Sequence, residues 1–219
     1  MDDTIKAVFF DLDGTLIDSA PDLAGTANKM LLKRGLPPID VKKYYPLAGL
    51  GPRGMLRLAF GVMPEDDGFA ELQNEFFDIY EQCMTDLTQP YAEVPGVLHT
   101  LEAKGVALGV ITNKLERFAF PMVERIFSDF HIQTTIAANT LAFKKPHKEP
   151  ALESARRVGL PPERCLMVGD DLRDITCGAS AGMRTAAVTW GYQETDFDYK
   201  SLNADYIIDK PSEILNLLR

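Results

Sequence analysis

A doubly wound α/β fold on a parallel sheet, with an all-helical insert after its first strand, is what the sequence predicts, and three observations carry the prediction. The segment 6–11 contains the unbroken apolar run Ala7-Val8-Phe9-Phe10, of the kind that suits a strand buried on both faces, and similar runs recur at 106–111, 132–138, 165–168, 185–188 and 206–208. Helical patterns lie between them. Ala119, Met122, Val123 and Ile126 fall at i, i+3, i+4 and i+7, while 151–158 and 175–181 stop at Gly159 and Gly182, glycines placed as helix stops. This alternation is the pattern of a parallel sheet with helices on its faces. The third observation is a break in it, because 17–89 shows helical stripes and no convincing strand. Leu23, Ala27, Met30 and Leu31 form one stripe, ended by Gly35, and Phe69, Leu72, Phe76, Ile79, Tyr80 and Cys83 a longer one. Both read as core packing. A core domain of residues 1–16 and 90–219 and a helical domain of 17–89 are therefore expected. Two chain crossings, near 17–20 and 89–94, would join them as a paired hinge suited to closing over a site.

A chain of 219 residues fits one large domain or two modest ones and can bury a core without staples. With 46% hydrophobic and 25% charged residues it is no disordered chain, collagen or small disulfide scaffold. Lys and Arg number 23 against 32 Asp and Glu, a net charge of −9, which repels a polyphosphate backbone and argues against nucleic acid. A small phosphate stays compatible where a divalent cation and a few lysines reverse the local field. Cys83, Cys165 and Cys177 show no metal-ligand spacing and read as free thiols of a reducing cytoplasm. The N-terminus lacks the basic and apolar regions of a secretory signal, and no apolar run approaches the ~18 residues of a membrane span. A cytoplasmic protein without a membrane partner is expected.

Four segments carry chemistry. Asp11-Leu12-Asp13-Gly14-Thr15 ends the first apolar run. Residues two apart in an extended chain point the same way, and two close carboxylates need a cation between them or a proton on one. A surface turn uses the same residue types, but the other segments converge with this one. Gly169-Asp170-Asp171-Leu172-Arg173-Asp174 follows the run 165–168. Its three carboxylates ask for a hard cation, Mg²⁺ or Mn²⁺ rather than zinc, and the competing reading is a helix cap. Ile111-Thr112-Asn113-Lys114 places a hydroxyl and backbone donors at a strand-to-helix junction, fit for a phosphate oxygen or a plain cap. In Lys144-Lys145-Pro146 one lysine is a fixed charge for a phosphate, unless both are solvated. Gly49–Gly54 spells G-x-G-x-x-G without the buried strand that a dinucleotide site requires, so it reads as a turn before a helix. His99, His131 and His147 are scattered, and Trp190 and Phe197 read as packing.

Asp11, Thr112 and Asp170 each follow the carboxyl end of an expected parallel strand, where open α/β sheets bind ligands. In this order, the aspartate pair, threonine, lysine and acidic cluster resemble the four motifs of the haloacid dehalogenase superfamily of phosphatases, over nearly the whole chain. The insert lies where that family's helical cap lies. Within the superfamily the chain looks like the phosphoglycolate phosphatase family. Residues 169–175, 181–188 and Gly191-Tyr192 look most like its branch of N-acetylmuramic acid 6-phosphate phosphatases.

The resemblance implies a Rossmann-like core and a set of roles. Asp11 is the nucleophile that becomes a phosphoaspartate, and Asp13 the general acid and base. Asp11, the carbonyl of Asp13 and Asp170 hold Mg²⁺, oriented by Asp171 and Asp174. Thr112, Asn113 and Lys145 bind phosphoryl oxygens. The choice of Lys145 over Lys144 rests on the family's Lys-Pro pairing, and Lys144 stays open. Arg53, on the cap, contacts the substrate. The implied partner is a small phosphorylated metabolite, N-acetylmuramic acid 6-phosphate or 2-phosphoglycolate, handled by a monomer or homodimer. Two other readings compete. A phosphosugar mutase would share the motifs and differ in the cap. A phospho-accepting receiver module would draw its phosphoacceptor from a later strand than its acidic cluster, in roughly half the length.

Overall fold

The first apolar run folds as β1 (Ala7–Phe10), buried at every position. It is the centre from which the computed structural model, which describes residues 4–194 and 196–219, is built. A tight turn follows, in which the Leu12 carbonyl accepts the N–H groups of Leu16 and Ile17. β2 (Ile17–Asp18) leads into α1 (Ala20–Lys33), whose buried positions include Leu23, Ala27, Met30 and Leu31. α2 (Pro52–Phe60), α3 (Phe69–Glu81) and the two-residue β3 (Gln89–Pro90) come next. Strands and helices then alternate through α4 (Val94–Ala103), β4 (Ala107–Ile111), α5 (Glu116–Ile126), β5 (Ile132–Ile136) and α6 (Glu149–Arg157). They continue through β6 (Cys165–Gly169), α7 (Leu172–Ser180), β7 (Arg184–Val188) and β8 (Tyr206–Ile208).

Six strands pair in parallel in the order β5-β4-β1-β6-β7-β8. Ala151 and Ala155 of α6 and Cys177 of α7 cluster with Ala7, Phe9, Cys165 and Met167 on one face. Phe10, pointing the other way, meets Val97 and Leu98 of α4. Helices on both faces are why β1, β4 and β6 are buried at every position and do not alternate, while β5, at the sheet edge, carries Gln133, Thr134 and Thr135. Gly109 in β4 is set by close packing, since a Cβ there would stand 2.7 Å from both Phe9 Cδ1 and Thr134 Cγ2.

The chain moves outward from β1 to β5 and then restarts at β6 on the other side. The strand order thus reverses around β1, the place where such sheets open a ligand crevice. Phe10 lies level with Val110 and with Val168, so the next residues bring the first, second and fourth motif segments together at one edge.

By internal packing the chain divides into Met1–Ile17 with Pro90–Arg219, and Asp18–Gln89. Within the second unit α1 packs on α2 and α3 around buried Tyr44, Met55, Leu56, Phe76 and Tyr80. The Asp22 carboxylate, buried in the first turn of α1, accepts the N–H (2.8 Å) and the hydroxyl (2.7 Å) of Thr88, tying the start of the unit to its end. Residues 17–89 were expected to hold no strand, yet β2 and β3 pair as a two-stranded sheet. Two residues each are too few for side-chain alternation to register. Short helical turns, Val41–Lys43 and Tyr45–Leu50, lead into Gly49–Gly54 in place of a buried strand. Gly51 opens α2 with φ 59°, and a Cβ on Gly54 would stand 2.4 Å from the Leu47 carbonyl oxygen, so this glycine serves packing. Cys83, Cys165 and Cys177 are buried free thiols. No helix of the described residues is long and apolar enough to cross a membrane.

Candidate active site

Sheet backbone carries the first side chains of the site. The Asp11 N–H donates to the Val168 carbonyl at 2.9 Å and the Thr112 N–H to the Ile136 carbonyl at 2.8 Å, so both residues are set by strand register. The turn after Asp11 needs Gly14 twice over. Its φ is 85°, and a Cβ there would stand 2.6 Å from Asp170 Oδ2, a backbone conformation and a clearance that only glycine combines.

Asp11, Asp170 and Asp174, all buried, each present an oxygen within 4.8 Å of the other two. Lys145, only 3% exposed, reaches into them. Its Nζ lies 2.6 Å from Asp11 Oδ1, from the Ile111 carbonyl and from Asp174 Oδ1. Lys144 is exposed, so of the two lysines it is Lys145 that meets the cluster. Burial, then the charge of Asp174, pushes the Asp11 carboxyl up to about 7 against the pull of Lys145. Burial, then Asp174 and Asp11, holds Asp170 well above the carboxylate range. The polar partners of its carboxylate are the Tyr192 N–H at 3.1 Å and the Thr15 hydroxyl at 3.5 Å. Among the described residues no cationic side chain pairs with it. Burial works against the charged form of Lys145, but Asp11 and Asp174 outweigh it and hold the ammonium above its ordinary value. One ammonium for three clustered carboxyl groups is a charge balance that a small hard cation would relieve.

Asp13 is held differently. Lys114 Nζ donates to its two carboxylate oxygens at 2.8 and 3.1 Å. No role for Lys114 was expected. The signal was present, since Lys114 stands two residues after Thr112 as Asp13 stands two after Asp11. The Thr112 hydroxyl accepts the Lys114 N–H at 3.1 Å and keeps its own hydrogen to donate. Asn113, expected to bind phosphoryl oxygens, donates its side-chain N–H to the Lys145 carbonyl at 2.9 Å. Its Oδ1 is buried without a partner among the described residues. That side chain steadies the lysine segment.

The helix-cap reading of the acidic cluster holds for two of its members. Asp171 caps α7, accepting the Arg173 N–H at 2.8 Å, while Asp174 Oδ2 accepts the Asp171 N–H at 3.0 Å, a reciprocal capping box. Burial opposes the charge of Asp171, but its hydrogen bonds to Arg173 outweigh it and lower its pKa. Asp174 turns its other oxygen to Lys145. Arg53 is exposed in the first turn of α2, in the Asp18–Gln89 unit. Trp190, expected only to pack, donates its indole N–H to the Thr15 carbonyl at 3.1 Å.

The site is thus a cluster of buried carboxylates and one buried lysine at the switch point of a parallel α/β sheet. Residues 8–188 match the family model described as haloacid dehalogenase-like hydrolase. The chain is 37% identical over 214 residues, 98% of its length and 95% of the relative's, to the N-acetylmuramic acid 6-phosphate phosphatase of Pseudomonas aeruginosa. It is 39% identical over 209 residues, 95% and 94% of the two chains, to a phosphoglycolate phosphatase of Xanthomonas campestris. The crystal structure of a predicted phosphoglycolate phosphatase from Haemophilus somnus matches with a TM-score of 0.85, at 28% identity and 98% coverage of both chains. The chain belongs to the haloacid dehalogenase-like hydrolases, and within them it is a phosphatase. Phosphatases of this family work with a divalent metal, for which the buried aspartates offer oxygen donors.

Proposed function

We propose that the chain is a Mg²⁺-dependent phosphomonoester hydrolase, working through a phosphoaspartate on Asp11 and acting on a small carboxylated phosphate ester. Lys145 carries this reading. A carboxylate nucleophile and a phosphate dianion repel each other, and a buried ammonium 2.6 Å from the nucleophile oxygen supplies the countercharge where the phosphoryl group must arrive. The oxygen donors fit Mg²⁺, which Asp11, Asp170 and the Asp13 carbonyl would hold. When bound, it neutralises charge between phosphate and carboxylate.

The chain's own groups then divide the work. Asp11 forms a bond to phosphorus as the bond to the ester oxygen breaks, and Asp13 gives its proton to the departing alcohol. Asp13 next takes a proton from the water that attacks the phosphoaspartate, releasing inorganic phosphate and restoring the Asp11 carboxylate. Lys114, paired with both Asp13 oxygens, fixes the orientation of that carboxyl. The Thr112 hydroxyl and Lys145 donate to the phosphoryl oxygens as charge shifts.

The Asp18–Gln89 unit acts as the cap in this reading, and Arg53 takes the substrate's carboxylate by a charge-assisted bond. N-acetylmuramic acid 6-phosphate ranks above 2-phosphoglycolate, on the resemblance around residues 169–192. Both esters carry a carboxylate, and the enzyme meets them in the cytoplasm. The test is kcat/KM on both esters and on p-nitrophenyl phosphate. Losing one charged hydrogen bond costs about 1.5–3 kcal/mol, so Arg53→Ala should lose roughly 10- to 150-fold on the carboxylated ester and little on p-nitrophenyl phosphate. A uniform loss removes Arg53 from specificity, and a higher kcat/KM for phosphoglycolate reverses the ranking. No turnover of any phosphate ester with Mg²⁺ overturns the reading.

Metal and pH should be linked. With its pKa raised from 3.8 to about 7, Asp11 in the metal-free protein keeps a proton that the unfolded chain has already lost. Stability therefore falls as pH rises from about 4 to about 7. A cation replaces that proton, so Mg²⁺ should raise the Tm more at pH 8 than at pH 5.5. At 100-fold over Kd the gain is about 2.7 kcal/mol, or roughly 5–11 °C in a chain of this size. EDTA should abolish turnover. Equal thermal gains at the two pH values would remove Asp11 from the metal site.

A further inference from the structure

Residues 190–193, in the segment after β7, belong to none of the four motif segments, yet two of them hydrogen-bond to Asp170 and a third packs against it. The Tyr192 N–H donates to Asp170 Oδ2 at 3.1 Å, and Gln193 Nε2 donates to the Asp170 carbonyl at 3.0 Å. Gly191 lies against the same residue, where a Cβ would stand 2.3 Å from Asp170 Cβ and 2.5 Å from its Oδ2. The loop also grips the turn after Asp11. Trp190 Nε1 donates to the Thr15 carbonyl at 3.1 Å, and the Thr15 hydroxyl reaches Asp170 Oδ1 at 3.5 Å. Tyr91 meets the Trp190 ring edge-on at 6.4 Å. On the loop's near side Tyr199 donates its hydroxyl to the Thr189 carbonyl at 3.1 Å.

Asp11 and Asp174 are held by the Lys145 ammonium. Asp170 has no such partner among the described residues, so neutral hydrogen bonds and close packing are left to orient it. Thr15 supplies one long bond and Gly14 lies against Oδ2, while this loop supplies the Tyr192 N–H and the close packing of Gly191.

We infer that Trp190, Gly191, Tyr192 and Gln193 form the positioning element of the cation site, fixing the Asp170 carboxylate relative to the turn that carries Asp11 and Asp13. The inference rests on the proposed role of Asp170 as a cation ligand. Gly191 supplies clearance for the Asp170 side chain, the Tyr192 N–H holds its carboxylate, Gln193 holds its backbone carbonyl, and Trp190 ties the loop to the turn after Asp11. Residues that orient a ligand from behind are worth about 10- to 100-fold in metal affinity.

The test is Mn²⁺ binding, followed by electron paramagnetic resonance, to the full chain and to Gly191→Ala, Gln193→Ala, Trp190→Phe and Asp170→Asn. Metal-free thermal unfolding and kcat against Mg²⁺ concentration are recorded alongside. Gly191→Ala should weaken Mn²⁺ binding about 10- to 100-fold, and Gln193→Ala and Trp190→Phe several-fold each. Saturating Mg²⁺ should return much of the kcat, a rescue that general misfolding would not give. If Gly191→Ala fails to fold, the other two, each removing a single hydrogen bond, decide the matter. Affinities within twofold of wild type in Gln193→Ala and Trp190→Phe, with binding lost in Asp170→Asn, would overturn the inference and leave the metal site standing. Unchanged binding in Asp170→Asn would overturn the metal reading and the inference with it.

Discussion

Asp11→Asn is expected to lower kcat by at least about 10³-fold, the scale on which removal of a nucleophile acts, and to leave the Tm within a few degrees of wild type. The amide has the shape of the carboxylate but no charge with which to attack phosphorus. The fold tolerates it because Asp11 is already costly as a buried anion, its carboxyl pushed up to about 7 by burial and the charge of Asp174. Lys145 keeps Asp174 and the Ile111 carbonyl as partners at 2.6 Å. Turnover, thermal unfolding and the intact mass are measured together, the mass to exclude deamidation back to aspartate. More than a few per cent of wild-type kcat, with the mass unchanged, would sink the covalent mechanism.

Lys145→Ala should produce the largest loss of stability. It strips the ammonium from two buried carboxylates at once, and removing one partner of a buried ion pair costs about 3–5 kcal/mol. In a chain of this size that is roughly 6–20 °C of Tm, measured in EDTA. Activity should fall by more than about 10²-fold, because the phosphoryl group loses its fixed countercharge. Mg²⁺ should restore part of the lost stability by returning positive charge to the cluster. Lys144→Ala is the internal control. Its side chain is exposed, and surface substitutions of this kind shift stability by no more than about 0.5 kcal/mol. Equal and small effects from the two variants would remove Lys145 from the centre of the site.

The sequence by itself determined the elements. β1, β4 and β6 were legible because a strand covered by helices on both faces is apolar without interruption, as Ala7–Phe10 and Cys165–Gly169 are. α1 and α3 were legible from their stripes. The places where Asp11, Thr112 and Asp170 stand were legible because each follows such a run, and a strand end points its next residues at whatever the sheet edge holds. β2 and β3 were not, since two residues carry no period and their pairing joins positions far apart in the chain.

Tertiary structure alone decided the pairings. Lys144 and Lys145 are identical neighbours in sequence, and only packing sends one into solvent and the other onto Asp11 and Asp174. The same holds for Lys114 with Asp13, for the Asn113 amide that donates to the Lys145 carbonyl, and for the loop at Trp190 that reaches both Thr15 and Asp170. Periodicity records which side of an element meets the core, a local property written every two or 3.6 residues. Which charge meets which depends on strand order, and here the order β5-β4-β1-β6-β7-β8 brings residues more than a hundred positions apart to one sheet edge.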